Sequence, residues 1–233
     1  MKMNARLLKF LSLFLVLILT HEVKSQKIGL KVGLNLNNIA QDFSDPAGEL
    51  STKLKVSYHF GAIVDFELSD KFGIQPGLIL SSKGFSYDDL SGDDYDRTRL
   101  NYLEIPLNAR LNFSTDFHAL FGPYLAFGLG GVNKYRYEAN NDESKDGVDF
   151  GPAEVPITAL DNDEFPLRAL DYGLNIGLGY TSGPIAINLG YGLGLNNIIP
   201  NFTDSSGDVV INADDTKISN RVISISLTYF LGE

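Results

Sequence analysis

The stretch KIGLKVGLNLNNI, residues 27–39, sets apolar Ile28, Leu30, Val32, Leu34 and Leu36 against Gly29, Lys31, Gly33, Asn35 and Asn37. A period of two belongs to a strand, whose successive side chains point to opposite faces. The same beat returns in Tyr58, Phe60, Ala62, Val64 and Phe66, and again in Leu174, Ile176, Leu178 and Tyr180. Each segment therefore has one oily face and one that is polar or rich in glycine. Eight such strands can be read, at about 27–38, 56–68, 72–82, 99–113, 117–132, 168–181, 185–196 and 218–231. Ser69–Asp70–Lys71, Ser114–Thr115–Asp116 and Ser182–Gly183–Pro184 are tight turns built from residues that favour turns. Long links near 39–55, 83–98, 133–167 and 197–217 alternate with them.

That alternation predicts an all-β fold, an eight-stranded antiparallel up-and-down transmembrane β-barrel with short turns at one end and long links at the other. A soluble eight-stranded barrel of lipocalin type, with the oily face inward, has the same periodicity. Phe66, Phe72, Phe113, Phe117, Tyr180 and Tyr229 favour the outward arrangement, because they gather on the apolar face near the short-turn end. Aromatic rings prefer the membrane–water boundary, so this set reads as a girdle.

Length and composition agree. A chain of 233 residues suits one barrel domain, and 23 glycines suit tightly curved strands. The absence of cysteine removes disulfides, thiolate metal centres, a cysteine nucleophile and a lipoprotein anchor. A net charge of −10 argues against nucleic acid as a partner. Lys2, Arg6 and Lys9 precede an apolar run from Phe10 to Leu19, with Val23 and Ser25 at a small-residue cleavage site. This pattern predicts a signal peptide over 1–25, cleaved after Ser25, and a barrel domain over 26–233. The apolar run is too short for a spanning helix, which needs about 20 residues, so a membrane form crosses with strands.

Four segments carry a family resemblance: KIGLKVGLNLNNI (27–39), YLEIPLNARLNF (102–113), HALFGPYLAFGLGG (118–131) and DYGLNIGLGY (171–180). Together they resemble the outer-membrane β-barrel proteins of Bacteroidetes, the porin or PorT-like family. The Tyr102–Leu103–Glu104–Ile105–Pro106 segment is the most specific element. The resemblance implies a barrel in the cell outer membrane and implies no single activity, although a named member serves a secretion system. The chain departs from barrel habit at its end, Tyr229–Phe230–Leu231–Gly232–Glu233, where an aromatic residue often stands last.

Function is sought on the inward faces. Lys31, Asp65, Glu67, Gln75, Glu104 and Arg110 fall on inward positions and form a candidate polar network in the lumen. Counting from the short turns puts Lys31, Asp65 and Arg110 at comparable heights. Such a set suits either a plug of ion pairs or a gated path for a small solute. Gly122, Gly128, Gly130, Gly173, Gly177, Gly179, Gly190, Gly192 and Gly194 make a bare opposite wall. Its glycines serve sharp coiling or leave a ligand cavity, with Tyr102, Tyr124 and His59 as candidates to project into the space.

Only His59 and His118 follow the leader, at heights differing by roughly 20 Å, and neither accompanies a serine in a nucleophile elbow. No catalytic residue, cofactor or metal site is expected. The links are acidic, with Asp88, Asp89, Asp93, Asp94 and Asp96 in one, Asp161, Asp163 and Glu164 in another, and Asp204, Asp208, Asp214 and Asp215 in a third. None matches the EF-hand pattern. Solubility and repulsion of anions are their expected role, with divalent bridges to lipopolysaccharide phosphates a second. The expectation is a monomeric, non-enzymatic barrel of structural, binding or narrow-channel type, in contact with outer-membrane lipid and lipopolysaccharide. A component of an envelope secretion assembly, with protein partners, is the alternative; a barrel-embedded hydrolase or acyltransferase is disfavoured.

Overall fold

The computed structural model describes residues 26–43, 52–88, 95–136, 143–158 and 164–232. The expected signal peptide and several link acids, among them Asp89, Asp93, Asp94, Asp161 and Asp163, lie outside the described residues. Eight strands carry the architecture: β1 (Gln26–Phe43), β2 (Lys55–Ser69), β3 (Phe72–Asp88), β4 (Tyr95–Asn112), β5 (Phe117–Arg136), β6 (Leu170–Ser182), β7 (Ile185–Gly194) and β8 (Thr216–Leu231). Each pairs antiparallel with its neighbours in order, and β8 returns to β1 from Ile28↔Leu231 to Phe43↔Thr216. The sheet thus closes into a ring of eight strands with no free edge among them.

Sidedness follows the alternation. Leu34 and Ile176 are 53% and 58% exposed on the outside of the ring, whereas Asn35 and Asp171 are 2% and 0% exposed within it. The outward set of β1 runs Ile28, Leu30, Val32, Leu34 and Leu36 before turning polar at Asn38. At about 3.3 Å per residue and a tilt near 40°, that apolar band is roughly 20 Å tall. Phe72, Phe113, Phe117, Tyr180 and Tyr229 are exposed at its short-turn end, and Phe117 and Tyr180 pair with ring centroids 5.0 Å apart.

The turns are locally encoded. The Ser69 hydroxyl accepts from the Phe72 amide at 3.1 Å, and Ser114 does the same for Phe117 at 3.1 Å. Gly183 takes a φ of 53°, which a residue without Cβ reaches without strain.

A strand lies at each of the eight expected positions, and five of them, β1, β3, β4, β5 and β8, run further toward the long-link end than their outward apolar residues do. The expected link 83–98 is largely a continuing hairpin, paired to Asp88↔Tyr95. Hydrogen-bonded ladders persist after both faces turn polar, which a pattern based on oily residues does not register. The expected loop 133–167 also carries structure. Glu143–Gly151 pairs antiparallel with β5, and Glu164–Arg168 pairs parallel with that added strand. Glu154–Pro156, Asn201–Thr203 and Val209–Ile211 form a separate three-stranded sheet.

Two apolar clusters lie inside the ring. Ile39, Leu100, Tyr102, Ala126, Val148, Leu167, Ile198 and Ile218 pack toward the long-link end. Ile63, Ile79, Ala186 and Phe230 pack toward the short-turn end. Ile198 belongs to no strand; the segment Leu195–Pro200 brings it inward, where it is 0% exposed.

Candidate functional site

The six residues expected to share the lumen divide into three places. Near the short turns, Arg110 and Asp65 form an ion pair, and Gln75 is buried on the neighbouring strand β3. Glu67 lies two residues beyond Asp65 on β2 and is exposed, outside the enclosed space. Lys31 does not stand level with Asp65. Lys27 is opposite Asp65, and Lys31 is opposite Gly61, four residues further up the ladder. None of the three short turns read from the sequence adjoins β1, so its height could not be counted from one.

Glu104 belongs to a higher cluster centred on a residue that sequence reading left in a loop. Lys83 Nζ lies 2.9 Å from Glu104 Oε2 and 3.1 Å from Asp171 Oδ2. It also sits 4.3 Å from the ring centroid of Tyr124 and 5.2 Å from that of Tyr102. Asn220 Nδ2 donates to Asp171 Oδ2 at 3.0 Å. One buried ammonium is thus enclosed by two carboxylates and two aromatic faces, a strong arrangement because charge-assisted bonds and cation–π contacts gain from low dielectric. Tyr102 and Tyr124 project inward as anticipated. A signal for Lys83 was present: it continues the inward set Gln75, Gly77, Ile79 and Ser81.

A neutral network fills the neighbouring wall. Asn35 Nδ2 donates to Ser81 Oγ at 3.2 Å and to the Ser82 carbonyl at 3.0 Å, while Asn37 Nδ2 donates to Ser57 Oγ at 2.7 Å. His59 Nδ1 meets Asn35 Oδ1 at 2.8 Å. His118 Nε2 meets Asn188 Oδ1 at 2.9 Å. The hydrogen-bond partners are Asn35 for His59 and Asn188 and Thr181 for His118, and none of these is the carboxylate that orients a general-base imidazole.

Between these layers a cavity of ≈ 80 Å³ remains, lined on one side by Lys31, His59 and Glu104 and on the other by Gly177, Gly190 and Gly192. The bare wall serves two purposes. A Cβ on Gly179 would strike the His118 ring and the Asn188 side chain, so this glycine is a seat for packed groups. A Cβ on Gly192 would meet Asn175 Oδ1 at 3.3 Å and nothing nearer. Gly179→Ala should therefore destabilise by ~1–3 kcal/mol, and Gly192→Ala by under about 1 kcal/mol. Urea midpoints of the two variants check this, and equal losses would contradict it.

Above the apolar band, burial acts on a second polar group. Lys55 Nζ donates to the Thr98 carbonyl at 2.5 Å. Burial, then the nearby Arg99 and Arg97, pull the Lys55 ammonium down to about 8. Burial pushes the Tyr87 phenol up to about 12 and raises the Asp96 carboxyl. Asp204 organises a turn: its Oδ1 accepts from the Ser206 and Asp208 amides at 2.8 and 3.0 Å. Among the described residues, no three histidine, aspartate or glutamate side chains gather as a metal site would require.

Residues 22–200 match the family model described as outer membrane protein beta-barrel domain. Among solved structures, Ail of Yersinia pestis is similar at 8% identity and a TM-score of 0.44, over 88% of this chain and 99% of Ail. Neisserial surface protein A gives 8% identity and 0.42, over 88% and 98%. Escherichia coli outer membrane protein W gives 13% and 0.41, over 88% and 97%. No curated protein sequence matched.

Proposed function

Because the chain belongs to the outer membrane protein beta-barrel domain family, we propose that its ring is an eight-stranded up-and-down barrel spanning the cell outer membrane, closed to solutes and without enzymatic activity. Its apolar band faces acyl chains, its short turns, the start of β1 and the end of β8 lie in the periplasm, and its long links face outward. Residues 1–25 deliver it across the inner membrane and are removed after Ser25. Outer-membrane lipid and lipopolysaccharide surround a single copy, and its role is structural or in binding at the cell surface.

One observation carries the closed reading. From Asp65 and Arg110 at one end to Ile198 at the other, side chains occupy the lumen, with a cavity of ≈ 80 Å³ among them. A filled interior is what eight strands allow. This favours the structural and binding roles over a narrow channel. The amide and hydroxyl partners of His59 and His118 favour a non-enzymatic role. Purified protein in a planar lipid bilayer should give no steady conductance above background; sustained discrete steps would overturn the reading. The envelope-assembly alternative has one specific support. Val209, Val210 and Ile211, at the open edge of the three-stranded sheet, are 48%, 50% and 41% exposed, a surface suited to protein contact. Partners co-purifying in fixed ratio would favour it.

A further inference from the structure

We infer that the luminal cavity is a blind binding pocket for a small zwitterion, an amino acid of the smallest size, with its carboxylate on Lys31 and its ammonium on Glu104. Lys31 gives the first indication. It borders the cavity inside the ring, yet among the described residues its Nζ forms no hydrogen bond and no ion pair. An ammonium enclosed by a protein without a partner is costly, so the fold leaves a place for one.

The charge balance of the lumen identifies the kind of partner. Asp65 and Arg110 cancel one another. Lys83 stands between Glu104 and Asp171 and neutralises only one of them, so that cluster keeps one negative charge. Lys31 supplies the matching positive charge but makes no ion pair with the cluster. An anion would satisfy Lys31 and be repelled by the surplus of the cluster, and a cation would meet the reverse. A molecule carrying both charges completes both walls and adds no net charge to the interior. The bond to Lys83 uses Oε2 of Glu104, which leaves Oε1 as an acceptor.

The space itself is encoded. Lys31, Glu104, Asn175 and Ser224 are only half-buried although they lie within the ring, and all four border the cavity. On the bare wall, Gly192 has room for a Cβ, whose nearest neighbour would be Asn175 Oδ1 at 3.3 Å. Close contact does not demand glycine there, as it does at Gly173, where a Cβ would strike the Leu193 carbonyl and the Tyr124 ring. The side chain missing at Gly192 keeps the cavity open. A volume of ≈ 80 Å³ confines the ligand to a handful of heavy atoms. Phe230 and the Asp65–Arg110 pair close one end and Ile198 the other, so the ligand is held and not passed.

The inference rests on the closed-lumen reading, and the two can fail separately: conductance in a planar bilayer overturns that reading, whereas retention of a ligand reports the pocket. Full-length protein is folded into detergent micelles with radiolabelled glycine, acetate or methylammonium, then freed of unbound label by gel filtration. Folding with the ligand present avoids slow entry past Leu195–Pro200. Wild type should retain about one glycine per chain and little of either singly charged compound. Lys31→Met should lower glycine retention by roughly ten- to a hundredfold, the worth of a charge-assisted hydrogen bond. Gly192→Leu keeps every charge, fills the space and should lower it as far. Lys71→Gln, in an exposed short turn, should behave as wild type. Urea midpoints report whether each variant folds, and Lys31→Met decides alone if Gly192→Leu does not. A wild type that retains no glycine overturns the pocket, as does a Lys31→Met variant that retains as much as wild type. Acetate held as well as glycine overturns the zwitterion as its ligand.

Discussion

Lys83→Met should destabilise the folded ring by about 3–5 kcal/mol, one of the largest losses available to a single substitution here. Methionine matches the length of the lysine stem but removes the charge that holds Glu104 at 2.9 Å and Asp171 at 3.1 Å. Two carboxylates then face one another without a cation, one of them 0% exposed. Removing one partner of a buried ion pair costs far more than removing all of them together. Adding Glu104→Gln and Asp171→Asn to Lys83→Met should therefore restore most of the loss. Urea unfolding in a fixed detergent reports both, as a lower midpoint at constant slope for the single variant. Equal stability of wild type and the single variant would remove the cluster from any account of what holds the lumen shut, and so would a triple variant no better than the single.

The contrast between Lys31 and Lys83 illustrates what a sequence without a structure can yield. Both lysines sit on inward positions of strands with a plain alternation. Lys31 was found because Leu30 and Val32 flank it with oily residues. Lys83 was missed because its outward neighbours Ser82 and Gly84 are small, so the alternation dissolves there and the segment resembles a loop. The strand in fact continues to Asp88. The same cause hid the far part of β5, where the bulge at Gly130 changes the phase between the alternating strand and its extension beyond the apolar band. Periodicity located the ring, its order and its oily side because membrane burial imposes them on every strand. Heights across the lumen depend on register, which short turns fix locally and which a leading strand such as β1 inherits only from its partners. The stopper Leu195–Pro200 has no period at all, and its burial is decided by the space above Tyr102.

That stopper supports the second large effect. Ile198→Asp should release the segment from the mouth of the ring while leaving the ring folded. Ile198 packs among Leu100, Tyr102, Val148 and Leu167, an apolar setting that solvates a carboxylate poorly. Desolvating a carboxylate in such surroundings costs several kcal/mol. The bonds that oppose release include the Leu195 amide donating to the Tyr172 carbonyl at 2.9 Å, Asn196 Nδ2 donating to the Leu170 carbonyl at 2.7 Å, the Ile198 amide donating to the Ile218 carbonyl at 2.9 Å, and the Ile198 carbonyl accepting from the Arg168 amide at 2.8 Å. Asn197 adds a side-chain latch, with Nδ2 donating to the Ala213 carbonyl at 2.6 Å and Oδ1 accepting from the Ile218 amide at 3.0 Å. None of these joins two ring strands into their closed order, so the ladder survives their loss. The absence of native cysteine makes the readout clean. Gly192→Cys places one thiol on the cavity wall, where a Cβ is accommodated. A small charged thiol reagent added from the long-link side should label it slowly in the otherwise wild-type chain. Adding Ile198→Asp should accelerate labelling on the order of a hundredfold, because the rate follows the population of the open mouth. Steady conductance should still be absent, since Phe230, Ile63 and the Asp65–Arg110 pair close the other end. Unchanged labelling would mean that the outer apolar cluster does not control access to the cavity, and a conducting variant would mean that the lower layers do not seal it.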